Sequence, residues 1–160
     1  VSQAKFTPWK SRLSKIIKQS GGKTVKVALT EAGQNVQKIK PECIAEIDAK
    51  LGLMLQRCGH LQTRPDDGTL DEIYRYANDI VGMAGLFDLA ELGEAAFSLC
   101  ELIDRLKGVE QWDGPAVEVH LASLMLLRRA TPGAPENRDV LAGLRKLTAR
   151  VEARRELKKA

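Results

Sequence analysis

The sequence predicts an all-α protein: an antiparallel four-helix bundle over about residues 41–130, with additional helices at both ends. Three observations carry this. Apolar residues recur every three to four positions through most of the chain, the spacing of helices buried on one face. The one stretch that alternates like a strand, Val25, Val27 and Leu29, has no second alternating stretch to pair with. And two strongly periodic segments meet so tightly at Asp88 that they are expected to fold back as a helical hairpin.

Taken in order, Phe6–Lys18 reads as a short basic helix with Pro8 in its first turn and Trp9, Leu13, Ile16 and Ile17 on one stripe. Gln19-Ser20-Gly21-Gly22 ends it. Val25, Leu29, Ala32, Val36 and Ile39 then repeat at 4-3-4-3, which favours a helix, and Pro41 is expected to break or kink it because proline supplies no backbone donor. A further helix runs to about Gly59 on a seam of Ile44, Ile47, Leu51, Met54, Leu55 and Cys58. Residues 60–68 are rich in turn formers. Thr69 is the expected N-cap of the next helix, with Asp71 and Glu72 in its first turn, where the helix dipole favours acids. That helix extends to Phe87 with Ile73, Tyr76, Ala77, Ile80, Ala84 and Phe87 facing inward. Asp88 is expected to cap the following one, Leu89–Lys107, with Leu92, Ala95, Ala96, Leu99, Ile103 and Leu106 as its seam. Pro115–Ala130 is a helix. After the break at Thr131–Pro135 a last helix begins at Glu136 or Asn137, turning almost wholly polar from Arg150. The organisation is a basic N-terminal arm (1–40), a helical bundle (41–130) and a basic C-terminal helix (131–160).

Charge divides along the same lines. Residues 1–30 hold seven lysines or arginines and no acid, residues 66–118 hold 13 acids against three bases, and residues 119–160 hold ten bases against four acids. Such ends can dock on the acidic centre, on a partner, or on an anionic membrane or nucleic acid. Aromatic residues make up 4% of the chain, too few to interleave with the bases as single-strand binding requires. The three cysteines, Cys43, Cys58 and Cys100, lack metal-type spacing and are odd in number, so buried reduced thiols in a cytoplasmic setting are expected. No secretory leader pattern opens the chain, and no apolar run approaches the ~18 residues that a membrane span needs.

The stretch Ile73–Phe87 organises the rest. Its outer face carries Arg75, Asn78, Val81, Gly82 and Gly85, two of them glycines that cost a helix about 1 kcal/mol each relative to alanine. Glycines kept on one exposed stripe let another surface come close. Together with Ile80, Gly82, Ala84, Phe87 and Leu92, the stretch resembles the phosphorylation helix of the histidine phosphotransfer (HPt) domain family. The resemblance covers residues 70–107 best, weakens towards 130, and is absent before 40 and after 135. It implies a four-helix bundle that binds the receiver domain of a response regulator in a phosphorelay. It also marks what this chain lacks: Asn78 stands at the position of the phospho-accepting histidine, Val81 at that of the conserved lysine, and Asp88 at that of a late glycine.

The missing groups are those that carry the chemistry. Phosphotransfer needs an imidazole nucleophile and a cation to balance the phosphoryl charge; an amide is not a nucleophile, and valine is no cation. The remaining histidines, His60 in a turn and His120 in Val119-His120-Leu121, fall outside the motif, so active phosphotransfer through either is the least favoured reading. Gly21-Gly22-Lys23-Thr24 has a phosphate-loop ending without its earlier glycine or preceding strand. No metal or cofactor site is expected. The expectation is therefore a non-enzymatic pseudo-phosphotransfer protein, a two-component signalling adaptor or decoy. It would bind a receiver domain or another signalling partner through Arg75, Asn78, Val81, Gly82 and Gly85. The alternative is a helical module whose basic termini bind an anionic membrane or nucleic acid.

Overall fold

The computed structural model describes residues 22–58, 63–107 and 112–159. The expected helix Phe6–Lys18 and His60 lie outside them. The described residues form five helices and no strand: α1 (Val25–Arg57), α2 (Asp67–Ala84), α3 (Ala90–Lys107), α4 (Gly114–Arg129) and α5 (Pro135–Lys159). No helix among them is long and apolar enough to cross a membrane.

The first finding corrects the expected break at Pro41. α1 is one helix of 33 residues with Pro41 inside it. Propagation through neighbouring turns outweighs one lost hydrogen bond, because each added residue contributes a bond once a helix is nucleated. The proline still marks a division. Lys38–Ala160 clusters as one compact unit and the residues up to Gln37 as another, and Gln37 carries the carbonyl to which Pro41 can donate nothing. In the first unit Val25 and Leu29 are 75% and 68% exposed, and the helix is held by local contacts: Thr30 Oγ1 donates to the Lys26 carbonyl at 3.0 Å, and Lys23 pairs with Glu31.

In the second unit the packing order is set by crossing contacts. The C-terminal half of α1 buries Ile47, Leu51 and Met54. It runs antiparallel to α2, since Lys50 meets Asp79 at 2.8 Å while Arg57, two turns later, meets Glu72 at 3.0 Å. On another side it meets α4, where Arg128 Nη2 donates to Asp48 at 2.9 Å. α2 and α3 are antiparallel as expected: Gly93 lies so close to Ala84 that a Cβ there would sit 3.2 Å from the alanine's, and Lys107 at the far end pairs with Asp71. A β-branched side chain at Gly93 would force the hairpin apart.

The cap of α2 is not Thr69 but Asp66. Its carboxylate accepts from the Thr69 amide at 2.9 Å and the Thr69 hydroxyl at 2.8 Å, so the helix starts one turn sooner. Those two bonds hold the Asp66 carboxyl below its ordinary pKa. Asp88 is likewise not a simple cap of α3. It takes φ 58°, in the left-handed region, while the Leu89 amide reaches back to the Ala84 carbonyl at 3.2 Å. This is the six-to-one closure that ends a helix through a left-handed residue. Asp113 caps α4, accepting from the Ala116 amide at 3.2 Å.

α3 is the central element. Besides its expected seam it buries Ser98, Cys100 and Leu102, leaving little of its circumference to solvent. Cys100 is covered by α2, through the Tyr74 carbonyl, and Ser98 by α5, which packs on α3 and α4. Glu91 accepts from Asn137 Nδ2 at 2.8 Å, Ser98 meets Thr148 at 3.2 Å, and Arg105 meets Glu152 at 2.7 Å, so α5 runs parallel to α3. Asp113 at the start of α4 holds Arg154, at 3.0 Å, and so α5 runs antiparallel to α4. The last helix is thus part of the core-bearing unit. It begins at Pro135, a residue suited to a helix start, and continues to Lys159.

Candidate docking face

α2 presents three sides. Its inner side buries Leu70, Ile73, Ala77, Ile80 and Ala84. One flank turns to α1, where Asp79 is held by Lys50, and the other to α3, where Cys100 Sγ donates to the Tyr74 carbonyl at 3.7 Å. What remains is a stripe one residue wide. Asp71, Arg75, Asn78, Gly82, Gly85 and Leu86 are all exposed, at the i, i+3, i+4 intervals that stack along one face of a helix.

Four of the five residues singled out from sequence therefore lie on one solvent face. Val81 does not: it is half-buried and packs against the core, because it falls about 60° to the side of Asn78 that lies away from Arg75 and Gly82. Leu86, 53% exposed, takes its place as the apolar member of the face. Four residues after Gly82, it falls on the same face in a helical-wheel projection continued through Gly85, a signal the sequence carried. Tyr76, expected inside, is half-buried and lies beneath cations: Arg75 Cζ and Lys50 Nζ sit 5.4 and 5.5 Å from its ring centre. Arg75 is thereby laid along the helix beside the stripe.

The face has the relief that close approach requires. A Cβ built at Gly82 would meet nothing within 4 Å, and one at Gly85 would meet only carbonyls of its own helix end at 3.9 and 4.0 Å. α5, the basic C-terminal segment, is engaged on α3 and α4.

His120 is fully buried, where α3, α4 and α5 meet. Nδ1 donates to the Ala116 carbonyl at 2.7 Å, which leaves Nε2 to accept from Ser98 Oγ at 3.0 Å. Thr148 Oγ1 donates to the Leu144 carbonyl at 3.0 Å and lies 3.2 Å from Ser98 Oγ. Burial pushes the His120 pKa below its ordinary value, against the opposing effect of the Ala116 carbonyl. Ser98 lies at the floor of a cleft of about 300 Å³ between α3 and α5, so the pair invites comparison with a nucleophile and its base. Its chemistry is wrong for that role: no carboxylate supports the imidazolium, burial makes the imidazole a weak base, and Ser98 sits mid-helix, where backbone amides are committed to the helix ladder.

The thiols fit the expectation of buried cysteines in two cases. Burial pushes Cys58 and Cys100 each up to about 11, far from thiolate reactivity, while Cys43 is half-buried. Among the described residues no group of three or more His, Cys, Asp or Glu side chains is arranged to hold a metal ion. Comparison with family models, with curated proteins and with solved structures returned no match to this chain.

Proposed function

We propose that this chain is a pseudo-phosphotransfer protein. Its α1 C-terminal half, α2, α3 and α4 serve as an HPt-like four-helix bundle, and α2 docks a response-regulator receiver domain or another signalling partner without carrying phosphate. The observation that carries the reading is the exposed stripe Arg75, Asn78, Gly82, Gly85 and Leu86, where among the described residues nothing lies within 4 Å of a Cβ built at Gly82. Its two glycines let another surface come close, with an apolar side chain at one end and a guanidinium at the other. An amide at Asn78 can hydrogen-bond to a partner but cannot accept a phosphoryl group. The outcome is a non-enzymatic adaptor or decoy in a two-component phosphorelay.

The test is capture of purified receiver domains on the immobilised chain, with and without Gly82→Arg. The bulky cation is expected to weaken binding at least tenfold without lowering the urea midpoint, since it also replaces a helix-interior glycine; equal capture by both forms would sink the proposal. A companion variant, Asn78→His with Val81→Lys, restores both reactive groups, and it is expected to take up acid-labile phosphate from a phosphorylated receiver. The half-buried site of Val81 suits a lysine that lays its stem on the core and its ammonium in water.

The alternative, basic termini that bind an anionic membrane or nucleic acid, is weakened for the C-terminal side by one observation. Arg145, Arg150 and Arg154 are paired with Glu94 and Asp113 of the acidic centre.

A further inference from the structure

The seam by which α5 is held differs from every other in the molecule. Its buried positions, Asn137, Leu141, Leu144, Thr148 and Val151, follow at 4-3-4-3, and two of the five are polar. Each polar residue is satisfied by one specific cluster. Asn137 donates to Glu91, which also accepts from the Gly133 amide at 3.1 Å. Thr148 closes the triangle with Ser98 and His120. The four buried polar side chains among the described residues, Ser98, His120, Asn137 and Thr148, all belong to these two clusters, and both clusters lie on α5.

We infer that α5 is an acid-releasable latch, held closed by neutral His120 and freed from α3 and α4 when that imidazole takes up a proton. The geometry leaves a proton no compensation. Nδ1 already donates to the Ala116 carbonyl, so the proton enters at Nε2, the atom that accepts from Ser98. The two hydroxyls can turn to accept from it, but Thr148 then competes with its own bond to the Leu144 carbonyl, and a full charge remains at a position with no exposed surface. The charged groups facing the junction are Glu94, Glu101 and Arg105 on α3, Asp113 ahead of α4, and Arg145, Arg150, Glu152 and Arg154 on α5. The carboxylates among them are engaged with arginines: Glu94 with Arg145, Glu101 and Glu152 with Arg105, Asp113 with Arg150 and Arg154. None is left to balance an imidazolium. Release of α5 carries Thr148 away and admits water to Ser98 and His120.

The sign follows from linkage. A histidine whose folded pKa is depressed contributes stability that is fully present above the unfolded value of 6.5 and is lost as pH falls through the folded value. Carboxylates titrate near 4, so the interval from pH 7.5 to 5.5 separates imidazole from carboxylate, and the His120→Gln control assigns the effect to His120. Amide hydrogen exchange of the full chain, corrected for the intrinsic pH dependence, tests this. Amides of Leu141–Val151 are expected to open more often below pH 6.5, by up to about tenfold per pH unit for a single proton, while those of α2 do not change. In His120→Gln, which can hydrogen-bond but not titrate here, the pH dependence of α5 should vanish. Equal acceleration in α2 and α5, or none in α5, overturns the inference. If the variant does not fold, the His120 ring proton resonances of the chain, identified by His60→Gln, supply the second reading. Titration of His120 with α5 still protected would also overturn it.

Discussion

Asp88 shows how a single residue can be kept where its backbone is uncomfortable. At φ 58° it is the one described non-glycine residue with positive φ, and it closes the tight join between α2 and α3. Aspartate tolerates the left-handed region better than most residues, yet only glycine enters it without steric cost. A typical side chain there costs about 1–2 kcal/mol, and glycine returns about 0.4–1 kcal/mol of that through unfolded-chain entropy. Dipole effects on the carboxylate cancel in part, since it follows one helix end and precedes a helix start. Asp88→Gly is therefore expected to stabilise the protein by about 0.5 kcal/mol, read as a higher urea midpoint at constant m-value. The same geometry gives a physical reason for a glycine at this position in the family pattern that the sequence resembles. Asp66 supplies a second residue-scale expectation. Its carboxylate caps α2, so its contribution is present above the ordinary carboxyl pKa of 3.8 and fades as pH falls through the lowered folded value. Asp66→Ala should lower thermal stability at pH 7 and make no difference near pH 2.

At the scale of elements, α1 is two helices in function and one in backbone. Its C-terminal half buries three side chains in the core and pairs with α2 and α4; the N-terminal half buries none. Proline inside a helix costs about 3 kcal/mol against alanine, and that cost falls where the buried seam gives way to the exposed turns. Pro41→Ala is expected to increase helical circular dichroism and to slow amide exchange over Val25–Lys40 by at least tenfold, with little change in the core amides. The element the sequence described least well is α3. Its six-residue seam was legible from spacing, but the burial of Ser98, Cys100 and Leu102 was not, because a periodic pattern reports one preferred face and cannot reveal that α5 covers Ser98 and α2 meets Cys100 on other faces. α5 was readable as a helix from the spacing of Val140, Leu141, Leu144, Leu147 and Val151, but its docking was not, because so much of its surface is charged that the local pattern resembles a solvated tail. What fastens it are partners contributed by α3 and by the start of α4.

Across the whole molecule, the buried hydrophobic core runs from Ile47 to Val151, and the described residues before Lys38 add nothing to it. Cooperative unfolding is a property of that core. A chain beginning at Lys38 is expected to keep the urea midpoint of the full chain and, within about 10–15%, its m-value, because m follows the surface exposed on unfolding. A large drop in either would mean that the first 37 residues contribute tertiary contacts. The charge division also acts at this scale. The basic C-terminal side settles on the acidic centre through pairs that are mostly exposed, each worth about 0–1 kcal/mol, so they choose where α5 lies more than they stabilise it.

The sequence by itself determined that the chain is helical, where most helices begin and end, and most of the apolar residues that face inward. These follow from spacing and residue chemistry, which act over a few residues. Tertiary structure decided the rest: that α1 passes through Pro41, that Val81 leaves the exposed stripe, that Asp88 adopts a left-handed backbone, and that His120 is sealed between three helices. Each depends on contacts between residues far apart in the chain, or on the exact rotation of a helix against its neighbours, and neither is recorded in a local pattern.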